Sequence, residues 1–337
     1  MITLKSPPES SHFPVMVEEV IKTSSLKKGY EIIDCTFGGG SYSKKFLDFP
    51  GTKVIALDRD THVYKFSKEV KKKYPSRFNF YQKKFSELDT IIKNKLVDVI
   101  VFDLGLSSIQ LNNFARGFSF SSKESLDMSM GLSDISAADV VNTFSENKLK
   151  LIIKILGEEK EASKIAKNII KSRKIKKITK VDQLVEIIEK SKIKKFKKKI
   201  NPSTKTFQAL RIFVNKEITE LINGIINATK ILKPGGKILV ISFHSIEDKI
   251  VKYFFSNFSS NHSRPSRYFP EDTKKNISLF EAYKNKTIRP TPKEVFTNPP
   301  SRSAKLRFAV RNKNNFFYPA DLKRKFKKYL ELERFYA

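Results

Sequence analysis

The stretch that most constrains this chain is residues 31–58, which reads in order as strand, glycine-rich turn, helix, second strand and acidic residue. Glu31-Ile32-Ile33-Asp34-Cys35-Thr36-Phe37 is a short apolar and β-branched run suited to a buried parallel strand, and it breaks into Gly38-Gly39-Gly40. Residues 41–49 offer a helix, and Lys53-Val54-Ile55-Ala56-Leu57 a second strand that ends on Asp58. Asp58 stands about twenty residues after the first glycine, where doubly wound folds hold a carboxylate against ribose hydroxyls. A competing reading makes this an ordinary glycine turn, with Asp58 capping the helix that follows.

A dinucleotide fingerprint needs glycine at its first, third and sixth positions, the last for close helix packing beside a pyrophosphate. Counted from Gly38, the sixth position is Ser43, so an NAD-linked oxidoreductase is disfavoured. S-adenosyl-L-methionine has a ribose but no phosphate, and a looser turn followed by a strand-end acid suits it.

Farther on, residues 63–73 read as helix, 78–81 as strand, 87–95 as helix and 97–102 as a buried strand ending on Asp103. Such alternation implies a parallel sheet with helices on both faces and a ligand beyond the carboxyl ends of the strands. Gly38, Asp58 and Asp103 all fall at such ends. Beyond Gln110 the period turns helical: Ala162, Ile165, Ala166, Ile169 and Ile170 form one stripe, and Val181, Leu184, Val185 and Ile188 another, with Thr179 as N-cap. Both stripes read as core. One long helix is expected over residues 206–232, stopped by Pro234-Gly235-Gly236, then a strand over 237–243. Residues 259–300 read as a surface excursion before a last strand over 304–310. The expected organisation is an α/β domain in two pieces, residues 1–110 and 215–337, split by an all-helical insertion at 111–214.

Charge points to a partner. With 66 basic and 35 acidic side chains the formal net charge is +31, a field that concentrates polyanions. Residues 171–177 carry five basic side chains and 192–199 six, among them Lys192, Lys195 and Lys198, a pattern suited to tracking phosphates. A compositional bias toward lysine would leave part of this as solvated surface. A single cysteine, Cys35, excludes disulfides within the chain, and four scattered histidines offer no metal-ligand cluster, so no metal is expected. No apolar run approaches the roughly 18 residues needed to span a bilayer, and the first fourteen residues have prolines where a signal peptide has an apolar core. A cytoplasmic location without membrane contact is expected.

Ordered motifs along nearly the whole chain resemble the RsmH (MraW) family of ribosomal RNA methyltransferases. They include His12-Phe13-Pro14-Val15, residues 34–43, Leu57-Asp58-Arg59-Asp60, Asp103-Leu104-Gly105-Leu106-Ser107-Ser108 with Gln110, Arg116-Gly117-Phe118, Thr206-Phe207-Gln208-Ala209-Leu210-Arg211, Ile241-Ser242-Phe243-His244-Ser245 and Ser301-Arg302-Ser303. The resemblance implies a class I (Rossmann-like) S-adenosylmethionine-dependent methyltransferase sheet. It also implies methylation of the exocyclic N4 of a cytidine in the decoding region of 16S (small-subunit) ribosomal RNA. Cofactor contacts carried over from the family fall on Gly40, Ser41, Tyr42, Asp58, Phe85, Asp103 and Gln110. Where relatives usually have Gly-Gly-His-Ser, this chain has Gly40-Ser41-Tyr42-Ser43. Asp103 is the candidate catalytic residue, orienting cofactor and amine. Arg211, His244 and Arg302 are candidate RNA contacts, each with a structural alternative, and Lys305 and Arg307 alternate with Arg302 along an expected phosphate-facing edge. The other function in view is a noncatalytic small-subunit assembly factor on the same fold, and the sequence leaves monomer and homodimer open.

Overall fold

The computed structural model describes residues 14–93, 95–192, 201–261 and 278–335. Lys195 and Lys198 lie outside them, as do His12 and His262. The apolar runs form the expected strands: β1 (Glu31–Asp34), β2 (Lys53–Asp58), β3 (Phe78–Gln82), β4 (Val97–Asp103), β5 (Leu232–Ser242) and β6 (Lys305–Val310). They make one sheet of order β3-β2-β1-β4-β5-β6. β1 to β5 are parallel and β6 runs antiparallel to β5. Strand order reverses between β1 and β4, the switch point at which such sheets open a crevice. Ladder bonds continue past the strand ends, Cys35 N–H to Val101 O (2.9 Å) and Phe37 N–H to Leu57 O (2.9 Å), so the tips of β1, β2 and β4 are held level.

Alternate side chains along the strands feed opposite faces. Ile32, Val54, Val99 and Val101 pack with Phe37, Phe46 and Phe78 on one side. Ile33, Ile100 and Phe102 pack on the other, in the same cluster as Leu149, Ile165, Ile169 and Leu184 of the inserted helices. The predicted stripes are therefore core, and the insertion shares a core with the sheet.

Four expectations need correcting. The long helix is two, Thr204–Asn215 and Glu217–Lys230, because Lys216 takes a left-handed φ of 50°. Its stripe of Val214, Ile218, Leu221, Ile222 and Ile225 is buried as expected. The break lets the buried Asn215 amide donate to Met128 O (2.8 Å) and accept from Met130 N–H (2.8 Å), tying down a loop some 85 residues earlier. Pro234-Gly235-Gly236 does not precede β5 but lies inside it, at an irregularity in the register between Val97 and Val99. Thr179 is not the N-cap: Lys180 holds that position, and the Gln183 carbonyl oxygen reaches back to accept from the N–H groups of Thr179 (2.9 Å) and Lys180 (3.0 Å). The supposed surface excursion is core at its middle, with Leu279 and Phe280 fully buried and Phe280 edge-on to Phe254, whereas none of residues 284–300 is buried.

The C-terminal helix Lys327–Glu333 docks on Glu217–Lys230 through a buried carboxyl. Glu333 accepts from Ile218 N–H (3.0 Å), Thr219 N–H (2.8 Å) and the Thr219 hydroxyl (2.6 Å), supplying the helix N-terminus with acceptors. Burial pushes this carboxyl up to about 8 against those three bonds. A raised acid contributes stability that is complete below its unfolded value and lost as pH rises through the folded one. Thermal melts at pH 5 and pH 9 should therefore show a larger loss for the wild type than for Glu333→Gln. Equal losses would mean that Glu333 titrates as an ordinary glutamate.

Candidate active site

The three level strand tips border a cavity of about 320 Å³. After β1, Thr36 Oγ1 accepts the Asp103 N–H (2.8 Å), joining two tips directly. Gly38 N–H donates to Asp58 Oδ2 (2.8 Å), and Asp58 Oδ1 accepts from Asp60 N–H (2.9 Å). One carboxylate thus fixes both the glycine turn and the loop after β2. Burial pushes the Asp58 carboxyl up to about 6, against the lowering effect of those two bonds. Asp34, beneath the turn, is also raised to about 6 by burial while accepting from the Ser43 hydroxyl (2.7 Å).

Of the residues carried over as cofactor contacts, Ser41, Tyr42, Asp58, Phe85, Asp103 and Gln110 line this cavity. Gly40 is not part of the lining: it has a φ of 77°, and a Cβ there would stand 2.7 Å from the Phe37 ring. Its requirement is conformational, at the start of the helix Ser41–Leu47. The Tyr42 ring is buried and its hydroxyl donates to the Val15 carbonyl, so the residue standing where relatives have histidine anchors the incoming chain. Phe85 stands edge-on to Phe102 at 5.3 Å between centroids. Gln110 faces the cavity with both ends of its amide committed, Nε2 to Asp60 Oδ2 (2.9 Å) and Oε1 to Ser107 N–H (3.0 Å). Asp60 also pairs with Arg116; burial would raise its carboxyl, but the Arg116 and Gln110 bonds outweigh that and leave it lowered.

At the β4 tip, Asp103 Oδ1 is buried and finds no hydrogen-bond partner. Burial and the neighbouring carboxyls of Asp34 and Glu247 push this acid well above the usual carboxylate range. The facing wall carries Arg211, Glu217 and Glu247. Arg211 grips Glu217 across the helix break through Nε to Oε1 (2.8 Å) and Nη2 to Oε2 (3.0 Å). Glu247 Oε2 accepts from Phe243 N–H (2.9 Å) and His244 N–H (3.3 Å), capping the helix Ser245–Asn257. Burial raises Glu247, but His244 and Arg211 prevail and hold it below its ordinary value. Glu217, His244 and Glu247 bring ligand-type atoms within 4.8 Å of one another. The Arg211 guanidinium already supplies that cluster with positive charge, which leaves little call for a metal cation.

The candidate RNA contacts divide. Arg211 lines the cavity and is engaged by Glu217. The His244 side chain is 8% exposed, beside Glu247 and behind the wall. Arg302 is exposed in the 3-10 turn Pro299–Ser303, next to Asn298 and Pro300, which reach the cavity. Lys192 is corrected: its side chain is 15% exposed, and Nζ is held by Glu159 Oε2 (2.5 Å) and the Pro202 carbonyl (2.5 Å), so it is not a free phosphate ligand. The phosphate-facing edge is corrected too, since Lys305 and Arg307 both pair with Asp248 (2.8 and 2.7 Å). Sequence reasoning missed Glu217, Glu247 and Gly224. His244-x-x-Glu247 before an apolar run and a lone glycine inside a helical stripe were the available signals.

A parallel sheet that opens at its switch point onto a glycine turn and two strand-end acids, closed by an antiparallel last strand, places the protein among the class I S-adenosylmethionine-dependent methyltransferases. The comparisons narrow that class. Residues 9–312 match the MraW methylase family, and the chain belongs to it, as the sequence motifs implied. A ribosomal RNA small subunit methyltransferase H from Brucella ovis is 40% identical over 312 residues, covering 91% of this chain and 89% of that protein. The protein of the same name from a Brucella suis strain is 40% identical over 311 residues, with the same coverage. Among solved structures, an rRNA methylase from Streptococcus thermophilus aligns at 9% identity with a TM-score of 0.39, over 88% of this chain and 95% of that one. Among the described residues no helix is long and apolar enough to cross a membrane.

Proposed function

We propose that this chain transfers a methyl group from S-adenosyl-L-methionine to the exocyclic N4 of a cytidine in the decoding region of small-subunit (16S) ribosomal RNA. The observation that carries the reading is the cavity at the strand tips, in a chain of the MraW methylase family. Its groups suit the cofactor. Asp58 keeps acceptor capacity beyond its two backbone bonds, and Asp103 Oδ1 is a buried polar atom without a hydrogen-bond partner. In this reading Asp58 accepts from ribose hydroxyls, Phe85 lies against the adenine, the turn with Gly38, Ser41 and Tyr42 borders the methionine end, and Asp103 orients cofactor and amine. When bound, S-adenosylmethionine supplies a methyl group activated by sulfonium charge.

The chain's own part is positioning, since the cytosine amine is weakly nucleophilic while its lone pair is delocalised into the ring. The base has to leave any stack to reach a cavity this deep. Leu104, Leu106 and Phe243 give that end of the cavity apolar walls that exclude water. Labelled methyl should appear on cytidine N4 when the protein, cofactor and unmethylated small subunits are combined. Label confined to adenine or protein would overturn the reading. Family membership supports catalysis over the noncatalytic assembly role.

The RNA surface that best fits the described residues is the end of the helix Ala162–Ile175 and the loop after it, where Lys171, Lys174, Lys176 and Lys177 are exposed. Neutralising Lys171, Lys176 and Lys177 together should flatten the logarithmic salt dependence of RNA binding by about two to three units. An unchanged slope would make these lysines a merely solvated face.

A further inference from the structure

Resting on the methyl-transfer reading above, we infer that Glu247, backed by His244, takes the proton released from the substrate amine. Five acids border the cavity: Asp58, Asp103, Glu217, Glu220 and Glu247. Asp58 holds two backbone N–H groups at the cofactor end. Both oxygens of Glu217 are gripped by Arg211. Glu220 shares the charge of Arg59 with Asp58, which sets it at the Asp58 side of the cavity although its buried Oε2 has no hydrogen-bond partner. Asp103 and Glu247 remain at the acceptor end, between the loops after β4 and β5.

Their surroundings push these two apart. Burial, Asp34 and Glu247 drive Asp103 upward, which disfavours its ionised form. Glu247 is raised by burial but lowered further by His244, by Arg211 and by the Phe243 N–H, which keeps it ionised and able to accept. Two carboxyls split in this way by their environment mark donor and acceptor roles. The groups facing Glu247 are Asp103 from the β4 tip, Arg211 and Glu217 from either side of the helix break, and His244 from its own helix start.

Geometry supplies the outlet. Glu247 Oε2 is fixed by two backbone donors, whereas Oε1 pairs with His244 Nε2 at 3.1 Å. The other ring nitrogen, Nδ1, has no hydrogen-bond partner, although the side chain is only 8% exposed. An imidazole set behind a carboxylate that lines the cavity fixes that carboxylate's orientation and favours its charged form. The N4 lone pair forms the new N–C bond while the C–S bond breaks with its electron pair left on sulfur. The N4–H bond then returns its pair to nitrogen, and the proton passes to Glu247 Oε1. Glu247 is the catalytic residue in this scheme and His244 a positioning residue.

Single-turnover methylation of small subunits, followed from pH 5.5 to 9 at saturating cofactor, tests this. Glu247→Gln should lower the rate by about 100-fold or more, with cofactor Kd and substrate KM changed less than about threefold. His244→Gln should lower the rate less and move the acid limb of the profile to higher pH, because the group that holds Glu247 ionised is gone. A purely structural role would instead raise Kd or lower the melting temperature and leave the limb in place. Wild-type rates in Glu247→Gln, an unmoved limb in His244→Gln, or a rate abolished by chelators would each overturn the inference. Should Glu247→Gln fail to fold for want of its cap, His244→Gln decides alone through the position of the acid limb. A wild type that puts no methyl on cytidine would overturn the parent reading, whereas an active wild type matched by both variants would overturn only the proton route.

Discussion

Asp58→Ala is expected to weaken S-adenosylmethionine binding by about 100-fold or more, the combined cost of a lost ribose acceptor and two orphaned backbone donors at about 1–3 kcal/mol each. The Gly38 and Asp60 N–H groups both end on this carboxylate, so alanine frees the glycine turn and the loop after β2 at once. Asp58→Asn keeps one acceptor oxygen and should lie between alanine and wild type. The wild type adds a pH signature. With a folded value of about 6, the carboxylate is lost as pH falls through 6, and cofactor affinity should fall with it. Stability runs the other way. For a raised acid, the stability contribution is complete below the unfolded value of 3.8 and is lost as pH rises through 6. The empty protein thus bears a cost at neutral pH for keeping charged the group that holds ribose. Calorimetric titration at pH 5 and pH 7.5 measures the effect, and a flat affinity over that interval would remove Asp58 from the cofactor site.

The parts of this site legible in sequence were those encoded by local chain. β1, the glycine turn and the acids ending β2 and β4 follow from short apolar runs and the residues that stop them, and parallel topology brings such tips together whatever lies between. What stayed hidden depends on partners distant in the chain. Lys192 reads as one of six basic residues until Glu159, 33 positions earlier, takes its ammonium. Lys305 and Arg307 look like an exposed alternating edge until Asp248 draws both inward. The helix break at Lys216 leaves no proline or glycine to read; it goes with Asn215 satisfying backbone groups of Met128 and Met130, far off in the chain. That break sets Arg211 against Glu217, so one wall of the cavity was as hidden as the break itself. Glycine at 40 was legible as essential but for a different reason, since it makes room for Phe37 rather than for a ligand.

Gly224→Ala should lower cofactor affinity by about 10- to 100-fold while leaving the fold close to wild-type stability, because two opposing local effects fall on different readouts. Alanine is favoured over glycine in a helix interior by roughly 0.5–1 kcal/mol, and residue 224 lies inside Glu217–Lys230. Against that, a Cβ at this position would stand 2.5 Å from Phe85 Cδ2 and 3.3 Å from Phe102 Cε1, and inserting a methyl into packing so tight costs about 1–3 kcal/mol. Phe85 cannot retreat toward Phe102, which already meets it edge-on at 5.3 Å. The ring's open side is the cavity, where the adenine is proposed to lie, so the strain is relieved by filling the binding site. The diagnostic measurement is a double-mutant cycle in cofactor Kd. In a Phe85→Ala background the added methyl meets no ring, and Gly224→Ala should then cost no further affinity. If the two losses simply add, Gly224 acts on binding by some route other than the position of Phe85.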